Sequence, residues 1–351
     1  MSPVISASGQ QILITGGTSG VGLETARLLT AAGADVTIVG SDPAKGADAE
    51  RSLNSGGAGG RATFVAADLS SIDQVHQLAK TITGRLGRLD VLINNAGLVA
   101  TKRVPTADGF ERTFAVNYLA PFTLTSDLLP LLEQSAPARV LSLTAAVEPI
   151  GRLPFGDLQR ERHFGGLRAY AQSKKALAMY TLELARRKKA DGSEVTANVI
   201  DPFLVRTALT SATEVPVLFK LARPAMIRPA TAARWVARAA IDPRLASTTG
   251  RHFQFGHRAP SPPEAAAAGR QPDSGMHPAN SPRAELAGHR QADHRPAHPA
   301  SLSQEPDALR AAVRRRHRGH RDPLPAHHLD RQPGEDRAAA HTAARNAAKV
   351  F

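Results

Sequence analysis

The side chains best suited to chemistry are those of Tyr170 and Lys174, four residues apart in the pentapeptide Tyr-Ala-Gln-Ser-Lys. They stand at the start of a helical pattern that extends to about Arg187, so both project from one helix face. An ammonium beside a phenol stabilises the phenolate, which predicts a tyrosine that exchanges a proton nearer neutrality than its ordinary pKa of about 10. Such a group can act as a general acid/base on an alcohol or a carbonyl. On this pair alone, a half-buried tyrosine with a solvated lysine is the favoured alternative.

The elements that must position this pair begin with a glycine-rich turn. An apolar run at residues 11–15 predicts a strand, which Gly-Gly-Thr-Ser-Gly-Val-Gly follows at residues 16–22. A helical pattern comes next, with Leu23, Ala26, Leu28 and Leu29 predicted on or near its buried side. In this context Gly16 permits the tight turn, Gly20 lets the backbone approach a pyrophosphate, and Gly22 lets helix pack on strand. The helix N-terminus attracts phosphate, so dinucleotide binding is favoured over a plain turn.

The spacing Gly-x-x-x-Gly-x-Gly after a threonine resembles the short-chain dehydrogenase/reductase family, and the likeness covers about residues 8–257. Residues 139–184 are similar to its retinol-dehydrogenase-like branch, as in Gly151-Arg152-Leu153 and Leu158-Gln159. Further strands are predicted at 35–39, 62–66, 91–93, 139–143, 195–200 and 251–255. Strands alternating with helices predict an α/β fold, a single doubly wound Rossmann-type parallel sheet with helices on both faces.

The resemblance implies an enzyme that interconverts an alcohol and its ketone or aldehyde by hydride transfer with NAD(P)(H). Tyr170 is implied as the acid/base, Lys174 as the residue that lowers its pKa and holds the nicotinamide ribose, and Asn117 as part of the proton path. Asp68 is implied to contact the adenine, although it is also placed to cap a helix starting near Ser71. The implied cofactor-binding set is Thr15, Gly16, Thr18, Ser19, Gly20, Val21, Gly22, Ser41, Asp68, Leu69, Asn94, Ala96, Gly97, Tyr170, Lys174 and Pro202.

Two positions depart from the family's pattern. Ala145 occupies the place of a serine whose hydroxyl bonds the substrate oxygen, and losing such a donor costs roughly 10²–10³ in rate. Thr144 is a tentative catalytic replacement, although adjacent strand residues face opposite ways. If Thr144 does not replace the missing hydroxyl, activity is impaired. The alternative function is then a non-catalytic NAD(P)-binding sensor or interaction protein. Phe203 replaces a permissive glycine before an apolar lid at 204–219, which is expected to alter that turn.

Cofactor choice depends on the end of the second strand, where NAD-specific relatives carry an acid and NADP-specific ones tend to have an arginine. Gly40 leaves the usual acid position without a side chain, while Ser41 and Lys45 suit a 2′-phosphate. Asp42 argues for NAD(H). The balance favours NADP(H) over NAD(H).

The composition limits which partners and which cellular location are expected. The 351 residues include no cysteine, which excludes disulfides and cysteine-ligated metal, and a reducing, cytoplasmic location is expected. No metal ligand set stands out. The polar first ten residues predict no signal peptide, and no apolar run is long enough for a membrane span. Net charge is +13, but no basic stripe with interleaved aromatics appears, which argues against specific nucleic-acid binding. A small-molecule alcohol or carbonyl substrate is expected, and the resemblance leaves a homodimer or homotetramer open.

The domain prediction is a dehydrogenase domain at 1–257 and a low-complexity Arg/Ala/Pro/His-rich tail at 258–351. Residues 251–351 hold 12 of the 25 prolines and 11 of the 13 histidines, with a net charge of +6. Such a segment buries too little apolar surface to offset chain entropy, so disorder is predicted apart from one basic helix at 307–318. A family member would continue with an ordinary acidic-apolar helix, which suggests a frame-shifted C-terminus.

Overall fold

Seven parallel strands form one sheet in the order β3-β2-β1-β4-β5-β6-β7. The computed structural model describes residues 5–57, 59–202, 205 and 226–254. The strands are β1 (Gln11–Thr15), β2 (Asp35–Gly40), β3 (Ala62–Ala66), β4 (Val91–Asn94), β5 (Ala138–Leu143), β6 (Val195–Asp201) and β7 (His252–Gln254). The predicted fold class is confirmed, while Phe203, most of the lid, and the tail lie outside the described residues.

The helices alternate with the strands along the chain. They are α1 (Gly20–Ala31), α2 (Pro43–Asn54), α3 (Ile72–Arg85), α4 (Arg112–Phe114), α5 (Ala120–Gln134), α6 (Gly166–Ala190) and α7 (Pro229–Ile241). A π-helical turn (Ala115–Leu119) joins α4 to α5, and short 3₁₀ turns occupy 148–150, 155–157 and 243–245.

Both faces of the sheet are buried. On one face the core includes side chains of α3, α5 and α6, and on the other it includes side chains of α1, α2 and α7. This double burial explains why the central strands read as continuous runs of Val, Ile and Leu. The strand order reverses between β1 and β4, so a crevice opens there at the carboxyl ends of the strands.

Two local expectations differ from the structure. The helix α6 begins at Gly166, so Tyr170 lies in its second turn rather than at its start. The four residues before Tyr170 contain no helix breaker except glycine at the first position, and extended Gly165 precedes them. Leu28, predicted on or near the buried side of α1, is exposed, because Ala26 and Leu29, three apart, define the buried stripe and Leu28 lies beside it.

Candidate functional site

The turn between β1 and α1 forms an uncapped helix N-terminus. Gly16 has a φ of +66°, a conformation that residues with a Cβ rarely adopt. Ser19 stands at the N-cap of α1, is exposed, and makes no capping hydrogen bond through its side chain. The first backbone N–H groups of α1 are therefore not capped by that hydroxyl, which is the arrangement that binds phosphate.

This turn is held against the end of β4 by Asn95. Its Nδ2 donates to the carbonyl oxygens of Thr15 at 2.8 Å and Gly16 at 3.1 Å. In return, Thr15 Oγ1 accepts from the backbone N–H groups of Asn95 and Ala96, both at 3.1 Å. A Cβ at Gly22 would lie 2.3 Å from the Gly16 oxygen and 2.5 Å from Asn95 Nδ2, so glycine is required there. The sequence Asn94-Asn95-Ala96-Gly97 at the end of β4 drew attention to this stretch, but the predicted cofactor-binding set did not include Asn95.

The end of β2 lies beside the glycine turn. A Cβ at Gly40 would stand 2.8 Å from Thr18 Cγ2, which places Thr18 directly over this position. Asp42 caps α2, accepting from the N–H groups of Ala44 at 3.0 Å and Lys45 at 3.1 Å. Its other oxygen pairs with Lys45 Nζ at 3.1 Å. These hydrogen bonds lower the pKa of Asp42, so its carboxylate is committed to α2.

Asp68 forms a turn after β3 rather than capping a helix. Its Oδ1 accepts from the N–H of Ser70 at 2.9 Å, and its side chain is exposed. The cap of α3 is instead Ser71, whose hydroxyl accepts from the N–H of Gln74. The cap proposed as an alternative for Asp68 is therefore wrong.

Four other predicted cofactor residues are buried. Asn94 is 1% exposed and donates through Nδ2 to Thr125 Oγ1 at 3.0 Å. Its side chain thus joins β4 to α5 and does not face the crevice. Val21 and Leu69 contribute side chains to the two cores, and Pro202 is buried after β6. The side chains of these four residues therefore lie in the protein interior.

The pair on α6 is buried. Tyr170 and Lys174 are 9% and 3% exposed. Lys174 Nζ donates to the carbonyl oxygen of Leu143, at the end of β5, at 2.8 Å and lies 5.9 Å from the centroid of the Tyr170 ring. The solvated lysine considered as the alternative is therefore excluded.

Burial dominates the electrostatics of this pair. It lowers the pKa of Lys174 to about 8, against the opposing effect of the Asp201 carboxylate. Burial also raises the pKa of Tyr170, and Asp201 raises it further. The expected lowering of the Tyr170 pKa is therefore wrong for this geometry: the phenol is desolvated, and the ammonium hydrogen-bonds a backbone carbonyl. Asp201, 3% exposed at the end of β6, was missed as an electrostatic residue.

Asn117 links the loop after β4 to α6. It lies in the π-helical turn, a feature frequent at functional sites. Its amide exchanges two hydrogen bonds with the backbone of Leu98, at 2.8 and 2.9 Å, and donates to Ser173 Oγ at 3.0 Å. A Cβ at Gly97 would lie 3.3 Å from Lys174 Nζ and 3.4 Å from Asn117 Oδ1, so this glycine makes room for both. Ser173 was also missed, although it lies within the Tyr-Lys pentapeptide.

The hydroxyl groups near the end of β5 face the protein interior. Thr144 is 3% exposed, and its Oγ1 donates to the carbonyl oxygen of Ile200 at 3.4 Å. Ser142 is fully buried. Ala145 is partly exposed, whereas Thr144 is buried. The structure thus gives Thr144 an internal partner, which weakens the case for it as a replacement donor.

Together these residues form one site at the carboxyl ends of the strands. The uncapped turn suits a pyrophosphate, and the cradle of Gly16, Gly22 and Asn95 fits a dinucleotide. Tyr170, Lys174, Asn117 and Gly97 lie together at the other end, where a proton can be exchanged with an oxygen. Within residues 5–57, 59–202, 205 and 226–254, no cluster of three or more His, Cys, Asp or Glu residues is arranged to hold a metal. Over that same part of the chain, no helix combines the length and apolarity needed to cross a membrane.

Comparison with known proteins agrees with this geometry. A family model described as short chain dehydrogenase matches residues 10–215. Retinol dehydrogenase 14 of Mus musculus is 36% identical over 260 residues, which cover 70% of this chain and 77% of that protein. Polyprenol dehydrogenase of Homo sapiens is 37% identical over 199 residues, covering 56% of this chain and 60% of that protein.

Solved structures share the fold. An active-site complex of RhlG with NADP from Pseudomonas aeruginosa has a TM-score of 0.58 and 29% identity, covering 73% of this chain and 98% of that one. A short chain dehydrogenase from Pseudomonas syringae has a TM-score of 0.59 and 26% identity, covering 72% and 98%.

Proposed function

This chain belongs to the short-chain dehydrogenase family of alcohol and carbonyl oxidoreductases, and we propose that it uses NADP(H) to interconvert an apolar alcohol with its aldehyde or ketone. The observation that carries the proposal is the buried pair of Tyr170 and Lys174 at the carboxyl end of the sheet. A desolvated phenol in a cleft is suited to exchanging a proton with a substrate oxygen.

We assign the roles from the contacts of each residue. The nicotinamide supplies or accepts the hydride when bound. The Tyr170 phenol gives its proton to a carbonyl oxygen during reduction, and its raised pKa keeps that proton in place at neutral pH. Lys174, held by Leu143, supplies positive charge beneath the site. Asn117 holds the Leu98 backbone and Ser173 in register with this pair.

The names of the relatives support an apolar alcohol as the substrate class. Two of them are named for retinol and polyprenol, which are both apolar alcohols. The match covers about 60% of the length of the human polyprenol dehydrogenase, so its substrate is not carried over to this chain. We infer that the loop at 98–106 and the segment at 204–219 determine which apolar alcohol is accepted.

The preference for NADP(H) rests on the end of β2. Gly40 provides no carboxylate for ribose hydroxyls, and Asp42 is committed to α2 and Lys45. Exposed Ser41 offers a hydroxyl donor to an added phosphate. The NADP complex of the RhlG relative supports the same choice.

The second candidate function is a dinucleotide-binding protein without useful turnover. Ala145 motivates it, since Thr144 already donates to Ile200. Such a protein would keep the cradle around Gly16 and Asn95 while lacking a donor for the substrate oxygen.

The test combines binding with turnover. The purified protein is titrated with NADPH and NADH by fluorescence, and apolar aldehydes and ketones are then screened by the loss of NADPH absorbance. Tyr170→Phe is expected to abolish turnover and retain binding, whereas the matched control Tyr180→Phe, on the same helix, is expected to retain both. NADPH binding with no turnover would establish the second candidate, and no binding of either dinucleotide would refute both.

Several expectations remain predictions. These are the cytoplasmic location, the boundary between residues 257 and 258, and assembly as a homodimer or homotetramer.

A further inference from the structure

We propose that a cavity beside the C-terminal end of α3 binds a small carboxylate with a short apolar chain. We call it the β2 cavity. Its volume is about 280 Å³, and it lies on the sheet face formed by β1, β2 and β3, near the amino ends of these strands. Four polar side chains in its lining are those of Arg61, Arg85, Thr37 and Thr63.

The register of the strands places the polar groups of the β2 cavity side by side. Thr37 of β2 pairs with Thr63 of β3, and one step earlier Gln11 of β1 pairs with Asp35 of β2. Arg61 precedes β3 and lies beside Asp35, whose Oδ1 accepts from its backbone N–H at 3.1 Å. Strand residues two apart share a face, so these side chains form one polar floor.

The helix α3 covers only part of this sheet face. Ile82, in the last turns of α3, is buried in the core. The helix ends at Arg85, after which Leu86 has extended backbone with φ −108° and ψ 124°. Beyond this end, Thr63 and Val65 of β3 stay partly exposed. The β2 cavity is therefore the part of the face that α3 leaves uncovered, with Arg85 in its lining.

The polar groups of the cavity are available to a ligand. Arg61 and Arg85 are exposed, and neither guanidinium forms an ion pair or a hydrogen bond with any residue in the described part of the chain. Over the same residues, the hydroxyls of Thr37 and Thr63 form no hydrogen bond. A guanidinium donates two parallel hydrogen bonds to a carboxylate, and each hydroxyl donates one more. The cavity thus presents the donors that a carboxylate accepts.

The acidic groups nearby already have partners. The Asp35 carboxylate accepts from Gln11 Nε2 and from the backbone N–H of Arg61, both at 3.1 Å. Asp90, next to the start of β1, accepts from Arg88 Nε at 3.1 Å. The cavity lining carries two guanidiniums and one carboxylate, which give a net charge of +1. That charge matches a monoanion such as a carboxylate better than a dianionic phosphate ester.

The apolar part of the lining determines the rest of the ligand. Val65, Ile82 and Leu86 line the cavity together with the polar groups, so a ligand held by its carboxylate can place an apolar chain against them. A volume of about 280 Å³ lies at the small end of ligand sites, which range from about 300 to 1,000 Å³. The chain is therefore limited to a few carbons.

The β2 cavity is separate from the candidate site, which lies at the carboxyl ends of the strands. Asp35, in the cavity lining, begins β2, whereas Gly40, beside the glycine turn, ends it. Strand steps of about 3.3 Å separate these two residues by about 17 Å. The cavity is a second site, and its ligand is inferred without reference to the proposed function.

The experiment is a titration of the full chain with hexanoate and with acetate, followed by ligand-observed NMR. We expect hexanoate to bind at least about tenfold more tightly than acetate, because acetate lacks the apolar chain. Arg61→Gln combined with Arg85→Gln is expected to weaken hexanoate binding at least about tenfold, and Thr63→Val about threefold. The matched control is Arg27→Gln combined with Arg51→Gln, which removes the same charge from α1 and α2 and is expected to bind normally.

Equal hexanoate binding by the two double variants would overturn the proposal, because the carboxylate would then bind elsewhere on this basic chain. Equal affinities for acetate and hexanoate would also overturn it, in favour of a site for simple anions, as would no binding of hexanoate to the native protein. Circular dichroism shows whether each variant is folded. The affinity for NADPH, expected to be unchanged in the cavity variant, separates failure of this site from failure of the proposed function.

Discussion

Restoring a hydroxyl at position 145 is the sharpest test of the active site. Ala145→Ser places an O–H donor at a partly exposed position next to buried Thr144. Thr144 Oγ1 donates to Ile200, and Ser142 is fully buried. The native protein is therefore expected to lack a hydroxyl donor from this stretch for the substrate oxygen.

The size of the gain follows from this geometry. A donor of the oxyanion-hole type contributes about 10²–10³ in kcat, equivalent to about 2.7–4 kcal/mol. Water at the partly exposed site supplies part of this stabilisation, so we expect Ala145→Ser to raise kcat about 10²-fold. The affinity for NADPH is expected to stay unchanged, because the added hydroxyl serves the substrate and not the cradle.

The assay is steady-state reduction of the best aldehyde from the screen, with Thr144→Val as the companion variant. Thr144→Val is expected to leave kcat unchanged, and to cost less than about 1 kcal/mol of stability because the hydrogen bond it removes is long. The reasoning is refuted if Thr144→Val lowers kcat about 10²-fold while Ala145→Ser adds nothing, since Thr144 would then be the donor.

Three other perturbations test other parts of the site. Asp201→Asn removes a carboxylate that raises the pKa of both Lys174 and Tyr170. Because Lys174 then loses its proton below pH 8, the alkaline limb of the kcat/KM profile should move to lower pH, and an unchanged profile would contradict this. Gly22→Ala places a methyl group 2.3 Å from the Gly16 oxygen and should abolish NADPH binding, whereas the control Gly84→Ala, in open space on α3, should stabilise the fold by about 0.5–1 kcal/mol in thermal melts. Burying the Lys174 ammonium, whose pKa falls from 10.5 to about 8, destabilises the native protein by about 3 kcal/mol, and Lys174→Met removes this penalty. The unpaired carbonyl of Leu143 offsets the gain by about 1–3 kcal/mol. That penalty is fully present below pH 8 and disappears towards pH 10.5. In urea titrations, the stability of Lys174→Met relative to the native protein should therefore fall over this range. A difference that does not change with pH would be inconsistent with a buried charge.

Local patterns in the sequence predicted most of the architecture. Strands such as residues 11–15 and 62–66 were placed correctly because each is a short apolar run bounded by turn residues. The contacts that rigidify the site were harder to predict. Asn95 bonds the carbonyl of Thr15, 80 residues away, and this depends on the register of two strands that the local sequence does not specify.

Electrostatics were the least predictable part. The spacing of Tyr170 and Lys174 correctly placed them on one helix but gave the wrong direction for the tyrosine pKa. The Tyr170 pKa is raised by burial within the whole fold and by the carboxylate of Asp201. Asp201 lies at the end of β6, so only the fold brings it close to the pair. Thr144 shows the same limit, because the partner of its hydroxyl is a carbonyl on a neighbouring strand.

The Asn95 bridge has a thermodynamic consequence for ligand recognition. Association ordinarily loses free energy when loops must become ordered, and a binder organised in advance avoids that loss. The Asn95 carboxamide donates to the carbonyls of Thr15 and Gly16, and the Thr15 hydroxyl accepts from the backbone N–H groups of Asn95 and Ala96. The glycine turn and the end of β4 therefore form one preassembled unit. A phosphate group that binds at this turn would thus meet a loop whose shape is already set, and the free energy of its contacts would contribute to affinity instead of being consumed in ordering the loop.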